Sequence, residues 1–125
     1  MKKRTGKIYI ETIKDIICDH FSTTFAELYK HNKSRDVEYK IPRQLIMVFI
    51  GEFSYLSCSQ ISSIFFKDHA TYLHARKTIR NREIFEPSFK ELMKELRDKI
   101  INRFALIDEK TDLVVYVKEE ILICL

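Results

Sequence analysis

The chain has 125 residues, enough for one domain, and its balance of 46% apolar and 32% charged residues is that of a globular protein. Only two glycines and two prolines interrupt it, which disfavours a many-turned β-sandwich and predicts an all-α protein. Three widely spaced cysteines indicate no disulfide framework, and no apolar run reaches the roughly 20 residues of a membrane span, so a soluble, intracellular protein is expected.

The first half of the sequence predicts three helices. Apolar residues over 8–21 follow a helical stripe, and Thr24 with Glu27 forms a capping-box pattern before a short second helix. Residues 31–40 have no apolar period and predict an exposed, basic connection. Pro42 suits the first turn of a third helix, whose apolar residues lie nearly all round and predict a buried, central position.

The second half opens with two short helices, over 57–65 and 68–82, joined by a polar turn near Lys67. Their lengths are typical of a helix-turn-helix. The polar residues of the first helix are expected to face solvent: Ser59, Gln60, Ser62 and Ser63.

A further helix is expected after Pro87, over about residues 87–104. The final segment is ambiguous. Residues 113–117 are strand-like in composition, whereas residues 118–122 could continue a helix.

The second helix of the pair has two different faces. Tyr72, Ala75 and Ile79 cluster on one side at about 100° per residue. The roughly opposite side carries Ala70, Thr71, His74 and Lys77. Small side chains let a helix backbone approach base edges, and hydrogen-bonding groups read them. The alternative is the solvated face of a helical hairpin that binds no nucleic acid.

Charge is distributed unevenly along the chain. Residues 1–82 carry a net charge of +7, and residues 83–125 carry −3. A basic region followed by an acidic one fits a polyanion-binding module with a separate C-terminal segment, although ordinary surface charge gives the same numbers.

Two blocks resemble a known family. Residues 67–75, KDHATYLHA, are similar to the RDHTTVLHA signature of the C-terminal DNA-binding domain (domain IV) of the bacterial chromosomal replication initiator DnaA. Residues 33–35 and then 42–44 are similar to the KSR…PRQ spacing of that domain. The resemblance covers about residues 8–103. It implies a DnaA domain IV/Trp-repressor-like helical fold with a helix-turn-helix over residues 1–103, followed by an extension over residues 104–125.

The resemblance implies that the partner is double-stranded DNA. Asp68 and His69 would read bases in the major groove, and Arg35 would enter the adjacent minor groove. Backbone phosphates would be bound by Arg43, Gln44, Thr71, His74 and Lys77. Lys33, Lys67 and Ala70 complete the predicted DNA-binding set. The simpler alternatives are an N-cap for Asp68, solvated histidines at 69 and 74, and a solubilising charge at Arg35.

The sequence also departs from the family pattern. Ala70 replaces a threonine that contacts bases, and Lys67 stands where the family has arginine. The Gly-Gly-Arg turn is one residue shorter, as Phe66-Lys67, and Ile41 and Cys58 replace arginine and leucine. We therefore expect a target sequence that differs from the initiator's own binding box.

No catalytic pattern is present. The chain has no G-x-x-x-x-G-K-[ST] phosphate loop, so the initiator's ATPase domain is not expected here. Cys18 and His20 have no second pair of residues at a metal-ligand spacing. We expect no enzymatic activity, no cofactor and no metal.

The sequence thus predicts a stand-alone, sequence-specific DNA-binding domain acting in replication or transcription control, in the cytoplasm of a bacterium or encoded by a mobile element. The extension over residues 104–125 is expected to support a homodimer. The alternative is a helical protein-interaction module that has lost DNA binding and acts through that extension.

Overall fold

A computed structural model describes residues 3–124 of the chain, with side chains described over residues 3–110. Six helices run through these residues, and none of the described residues is in a strand. The helices are α1 (Lys7–His20), α2 (Phe25–Lys30), α3 (Val37–Phe53), α4 (Cys58–Ser63), α5 (His69–Phe85) and α6 (Pro87–Cys124). This confirms the predicted all-α class. No described helix combines the length and apolar character needed to cross a membrane.

Helix α3 begins earlier than its sequence predicts. Its N-cap is Asp36, whose carbonyl oxygen accepts the N–H groups of Tyr39 and Lys40 at 3.1 and 2.8 Å, so Pro42 lies inside the helix rather than in its first turn. The prediction of a connection reaching residue 40 was therefore wrong. The first turn is exposed, with Val37 71% accessible, and a turn without buried residues shows no apolar period.

Helix α3 is the centre of the core, as predicted. Every residue from Gln44 to Ile50 is buried, and α1, α4 and α5 pack around it. Gly51 permits the close packing of α5 on α3, because a Cβ atom there would overlap the hydroxyl group and ring of Tyr72. The packing on α3 therefore fixes the position of α5 in the domain.

Helix α6 is longer than its sequence predicts, and the strand-like residues 113–117 have helical backbone. Phe104 is buried in the core, and Asp108 accepts hydrogen bonds from Arg4 and Tyr9. The packed part of α6 thus reaches Asp108. The side chains of residues 111–125 lie outside the described residues, so the division of the chain at residue 103 stays a prediction.

Candidate nucleic-acid interface

Capping side chains define where the two helices of the candidate helix-turn-helix begin. The Ser57 hydroxyl accepts the Gln60 N–H at 3.2 Å, and the Gln60 amide oxygen accepts the Ser57 N–H at 2.9 Å, a capping box that starts α4. At the start of α5, Asp68 Oδ1 accepts the Ala70 N–H at 3.1 Å. The predicted pair of helices is confirmed, and the proposed N-cap role of Asp68 is part of the structure.

Ser62 faces the interior, so its predicted exposure was wrong. Its hydroxyl accepts the N–H of Tyr72 at 3.0 Å, and its carbonyl oxygen accepts the N–H of Lys67 at 3.0 Å. A buried hydroxyl is stable when it is hydrogen-bonded, and here it satisfies a first-turn N–H of α5. Ser62 therefore fixes the start of α5 against α4.

The two faces of α5 are those expected from its sequence. Tyr72, Ala75 and Ile79 are buried against the core. The residues of the predicted DNA-binding set that are exposed on α5 and its cap are Asp68, His69, Ala70, His74 and Lys77, while Thr71 is half-buried. The face of α5 that the sequence predicted to contact DNA is therefore not covered by the other residues that the structure describes.

The loop between α2 and α3 is held in place by Arg43. Its Nη1 donates to the His31 carbonyl oxygen at 2.8 Å, and its Nη2 donates to the Ser34 carbonyl oxygen at 2.7 Å. Asn32 ties the same loop to the turn before α5 through a 3.0 Å hydrogen bond to the Phe65 carbonyl oxygen. Burial lowers the pKa of the Arg43 guanidinium below its ordinary value. Arg43 thus positions the loop that carries Arg35, and its contact with phosphate stays a prediction.

A cleft of about 540 Å³ lies between this loop, the first turns of α3 and the first turns of α5. We call it the basic cleft; it is lined by Asn32, Lys33, Ser34, Arg35, Lys40, Arg43, Gln44, Met47, Lys67, Thr71, His74 and Ala75. Seven residues of the predicted set meet here although they come from separate segments. Asp68, His69, Ala70 and Lys77 do not line it.

The basic cleft is electropositive and unneutralised. Its lining contains no carboxylate, and its unpaired cations are Lys33, Arg35, Lys40 and Lys67, none of which forms an ion pair with a described side chain. Lys40 was not in the predicted set, because it lies between the two matched blocks at residues 33–35 and 42–44. Cationic side chains of this kind attract a polyanion, and salt screens that attraction.

Gln44 forms part of the floor of the basic cleft rather than its rim. Only 6% of the residue is exposed, and its Oε1 atom is buried with no hydrogen-bond partner among the described residues. A buried, unpaired polar atom is costly. Its predicted contact with a phosphate stays a prediction.

A short helix followed across a tight turn by a longer, capped helix with one exposed face, set beside an electropositive cleft, is the arrangement of the helix-turn-helix class of DNA-binding domains. Comparison with known proteins shows which helix-turn-helix family this is. Residues 10–79 match the family described as bacterial dnaA protein helix-turn-helix. The chain belongs to this family, and membership implies DNA binding.

Curated relatives agree with the family match. A chromosomal replication initiator protein DnaA from Lachnoclostridium phytofermentans is 30% identical over 94 residues, which are 74% of this chain and 20% of that protein. The corresponding protein of Bacteroides thetaiotaomicron is 33% identical over 93 residues, covering 74% of this chain and 19% of the relative. The chain thus spans about a fifth of the length of these relatives, and the part it matches is a helix-turn-helix rather than a catalytic domain.

Proposed function

We propose that this protein binds a specific sequence in double-stranded DNA, with the start of α5 in the major groove and Arg35 in the adjacent minor groove. One observation carries the proposal. Arg35 lines the same cleft as Lys67, Thr71 and His74, so the loop and the start of α5 present their cations on one side of the molecule.

The first turn of α5 is suited to reading base edges. The major groove, about 12 Å wide, admits an α-helix, and the small Ala70 side chain allows close approach. His69 is exposed and offers ring nitrogens for hydrogen bonds. Asp68 uses Oδ1 for the cap, which leaves Oδ2 to accept a hydrogen bond from a base amino group.

Arg35 and the lysines of the basic cleft would make different contacts with DNA. A guanidinium is favoured in a narrow minor groove, where the negative potential is enhanced. Lys33, Lys40 and Lys67 have no carboxylate partner among the described side chains and would contact phosphates, which fix the register without reading sequence. Thr71, His74 and Lys77 would extend this contact along α5.

The biological role proposed is control of replication or transcription, in the cytoplasm. The relatives are named chromosomal replication initiator proteins, and this chain aligns with only about a fifth of them. The matched part is a helix-turn-helix, so the role proposed for these residues is occupation of DNA sites.

A homodimer formed through residues 104–125 is the second part of the proposal. The backbone of α6 continues to Cys124, about 16 residues beyond Asp108 and therefore about 24 Å at 1.5 Å per residue. Two such helices could pair and place two domains on a two-fold site. Sedimentation equilibrium of the whole chain and of residues 1–110 tests this; a whole chain that stays monomeric at high concentration would contradict it.

Binding to duplex DNA across a salt series tests the proposed function. The logarithm of the dissociation constant should rise with the logarithm of salt concentration, with a slope of about 0.9 for each neutralised phosphate. Lys67→Ala should lower that slope by about one. The control is Lys94→Ala, an exposed residue of α6 outside the basic cleft, which should leave the slope unchanged. Binding that is insensitive to salt would favour the protein-interaction alternative.

A further inference from the structure

Two helices of this protein end in the same hydrogen-bonded turn. After α4, the N–H of Phe66 donates to the Ser63 carbonyl oxygen at 2.9 Å, and the N–H of Lys67 donates to the Ser62 carbonyl oxygen at 3.0 Å. These two bonds are those of a Schellman motif, in which the residue after the cap adopts a left-handed conformation. Here that residue is Phe66, with φ of 59°.

The end of α1 provides an internal comparison. Ser22 has φ of 53°, and the N–H groups of Ser22 and Thr23 donate to the carbonyl oxygens of Asp19 and Cys18 at 3.2 and 2.9 Å. Ser22 and Phe66 are the non-glycine residues with positive φ among those described. One is small and polar, whereas the other is a large aromatic residue immediately before the candidate recognition helix.

Phe66 is unfavourable at this position for two reasons. A left-handed backbone conformation is less favourable for any residue with a Cβ atom than for glycine, because the Cβ atom comes close to the following carbonyl oxygen. The side chain is also 81% exposed, so burial in the core does not offset this cost. A strained backbone that carries an exposed aromatic ring suggests a functional contact of the ring.

The position of Phe66 indicates which contact this is. Lys67, its neighbour, lines the basic cleft, and Asp68 caps α5. His69 is three positions after Phe66, so their Cα atoms are at most about 11 Å apart, within the width of a major groove of about 12 Å.

We propose that the Phe66 ring packs against the C5-methyl group of a thymine at the edge of the major groove that α5 occupies. This inference rests on the proposed function and adds to it an apolar determinant of sequence. Thymine is the base that presents a methyl group in this groove, and an aromatic ring is a suitable partner for it. The contact between the ring and the methyl group offsets the conformational cost at residue 66, and this contact exists only in the complex with DNA.

Phe66→Gly tests the inference, with Ser22→Gly as the matched control. Glycine relieves the same backbone conformation at both sites, so each variant should raise the thermal unfolding midpoint by a few degrees, about 2–6 °C. Both are compared with the wild type on a duplex selected for tight binding. Ser22→Gly should bind as the wild type does, whereas Phe66→Gly should bind about 5–10-fold more weakly.

Replacing single thymines by uracil identifies the base, because uracil lacks only the methyl group. At one position the replacement should weaken the wild type about 5-fold and should not weaken Phe66→Gly further. An unchanged affinity of Phe66→Gly, or a loss that is independent of every thymine methyl, would overturn the inference while leaving the proposed function intact. A wild-type chain that binds no duplex would instead overturn the proposed function.

Discussion

Helix α5 separates two clefts that differ in how their cationic side chains are paired. On one side is the basic cleft, whose lining has no carboxylate. On the other is a cleft of about 300 Å³, the ion-pair pocket, lined by Val48, Gly51, Glu52, Tyr72, Arg76, Ile79, Arg80, Glu83 and Arg97. The first leaves its lysines unpaired for a polyanion, whereas the second places two carboxylates around one guanidinium.

Arg97 is the centre of the ion-pair pocket. Its Nε donates to Glu52 Oε1 at 2.7 Å, and its Nη1 and Nη2 donate to the two carboxylate oxygens of Glu83 at 2.8 and 3.2 Å. These hydrogen bonds, with Glu83 the largest contributor, raise the pKa of Arg97 above its ordinary value, and the bonds from Arg97 lower that of Glu83. The pairs join α3, α5 and α6, so charge on this side of α5 contributes to stability, whereas charge on the other side remains accessible.

The largest expected effect follows from Arg97→Ala. Removing the guanidinium leaves Glu52 and Glu83 facing each other half-buried, and the free energy of unfolding should fall by about 3 kcal/mol. Urea unfolding of the whole chain measures it. Lys99→Ala is the control, because its pair with Glu95 is exposed and should contribute less than about 0.5 kcal/mol. Equal effects of the two substitutions would contradict the structural role assigned to the ion-pair pocket.

His69→Ala should have the next largest effect, which concerns DNA binding rather than stability. Loss of a base contact should weaken binding to the selected duplex by about 2 kcal/mol, roughly 30-fold, and leave binding to unrelated duplexes and the free energy of unfolding unchanged. Fluorescence anisotropy on both duplexes measures the difference. His20→Ala changes an exposed histidine at the end of α1, outside the predicted DNA-binding set, and should alter neither affinity. A loss shared equally by all sequences would show that His69 reads no base.

The smallest expected effect is the pH dependence of the Glu83 contribution. The pKa of Glu83 is lowered in the folded protein, chiefly by the hydrogen bonds from Arg97, so its stabilisation is complete above the unfolded value of about 4.5 and is lost as pH falls through the folded value. The difference in unfolding free energy between the wild type and Glu83→Gln should therefore shrink, by about 1 kcal/mol or less, as the pH is lowered from 6 to 3. A difference between them that stays constant over this range would contradict the assignment.

Much of this comparison could be predicted from sequence, and the rest depends on tertiary contacts. The faces of α5 follow from helical periodicity, because Tyr72, Ala75 and Ile79 recur at the period of a helix. The family resemblance brought Arg35 and the start of α5 together, and the structure places Arg35 in a cleft with Thr71 and His74. Periodicity detects which residues share a face, and a local motif predicts which segments act together.

Other features could not be predicted, because a sequence pattern does not show which polar groups pair across elements. The sequence predicted an exposed side chain for Ser62, yet its hydroxyl is buried and accepts a hydrogen bond from the N–H of Tyr72, ten residues away. The sequence predicted a phosphate contact for Arg43, which stays a prediction, but not the hydrogen bonds from two of its N–H groups to loop carbonyl oxygens. The left-handed backbone of Phe66 does not follow from helical periodicity, and the available signal was the family's Gly-Gly-Arg turn at this place, because glycine favours that conformation.

Methylation interference tests the central claim most directly, namely that one face of the protein occupies two adjacent grooves. Dimethyl sulfate methylates guanine N7 in the major groove and adenine N3 in the minor groove of the free duplex, and the protein is then added to select the duplexes that it can still bind. We predict interference at both kinds of position within about one helical turn, with the minor-groove positions lost in Arg35→Ala and the major-groove positions weakened in His69→Ala. Interference confined to one groove, or an unchanged pattern in both variants, would contradict the account.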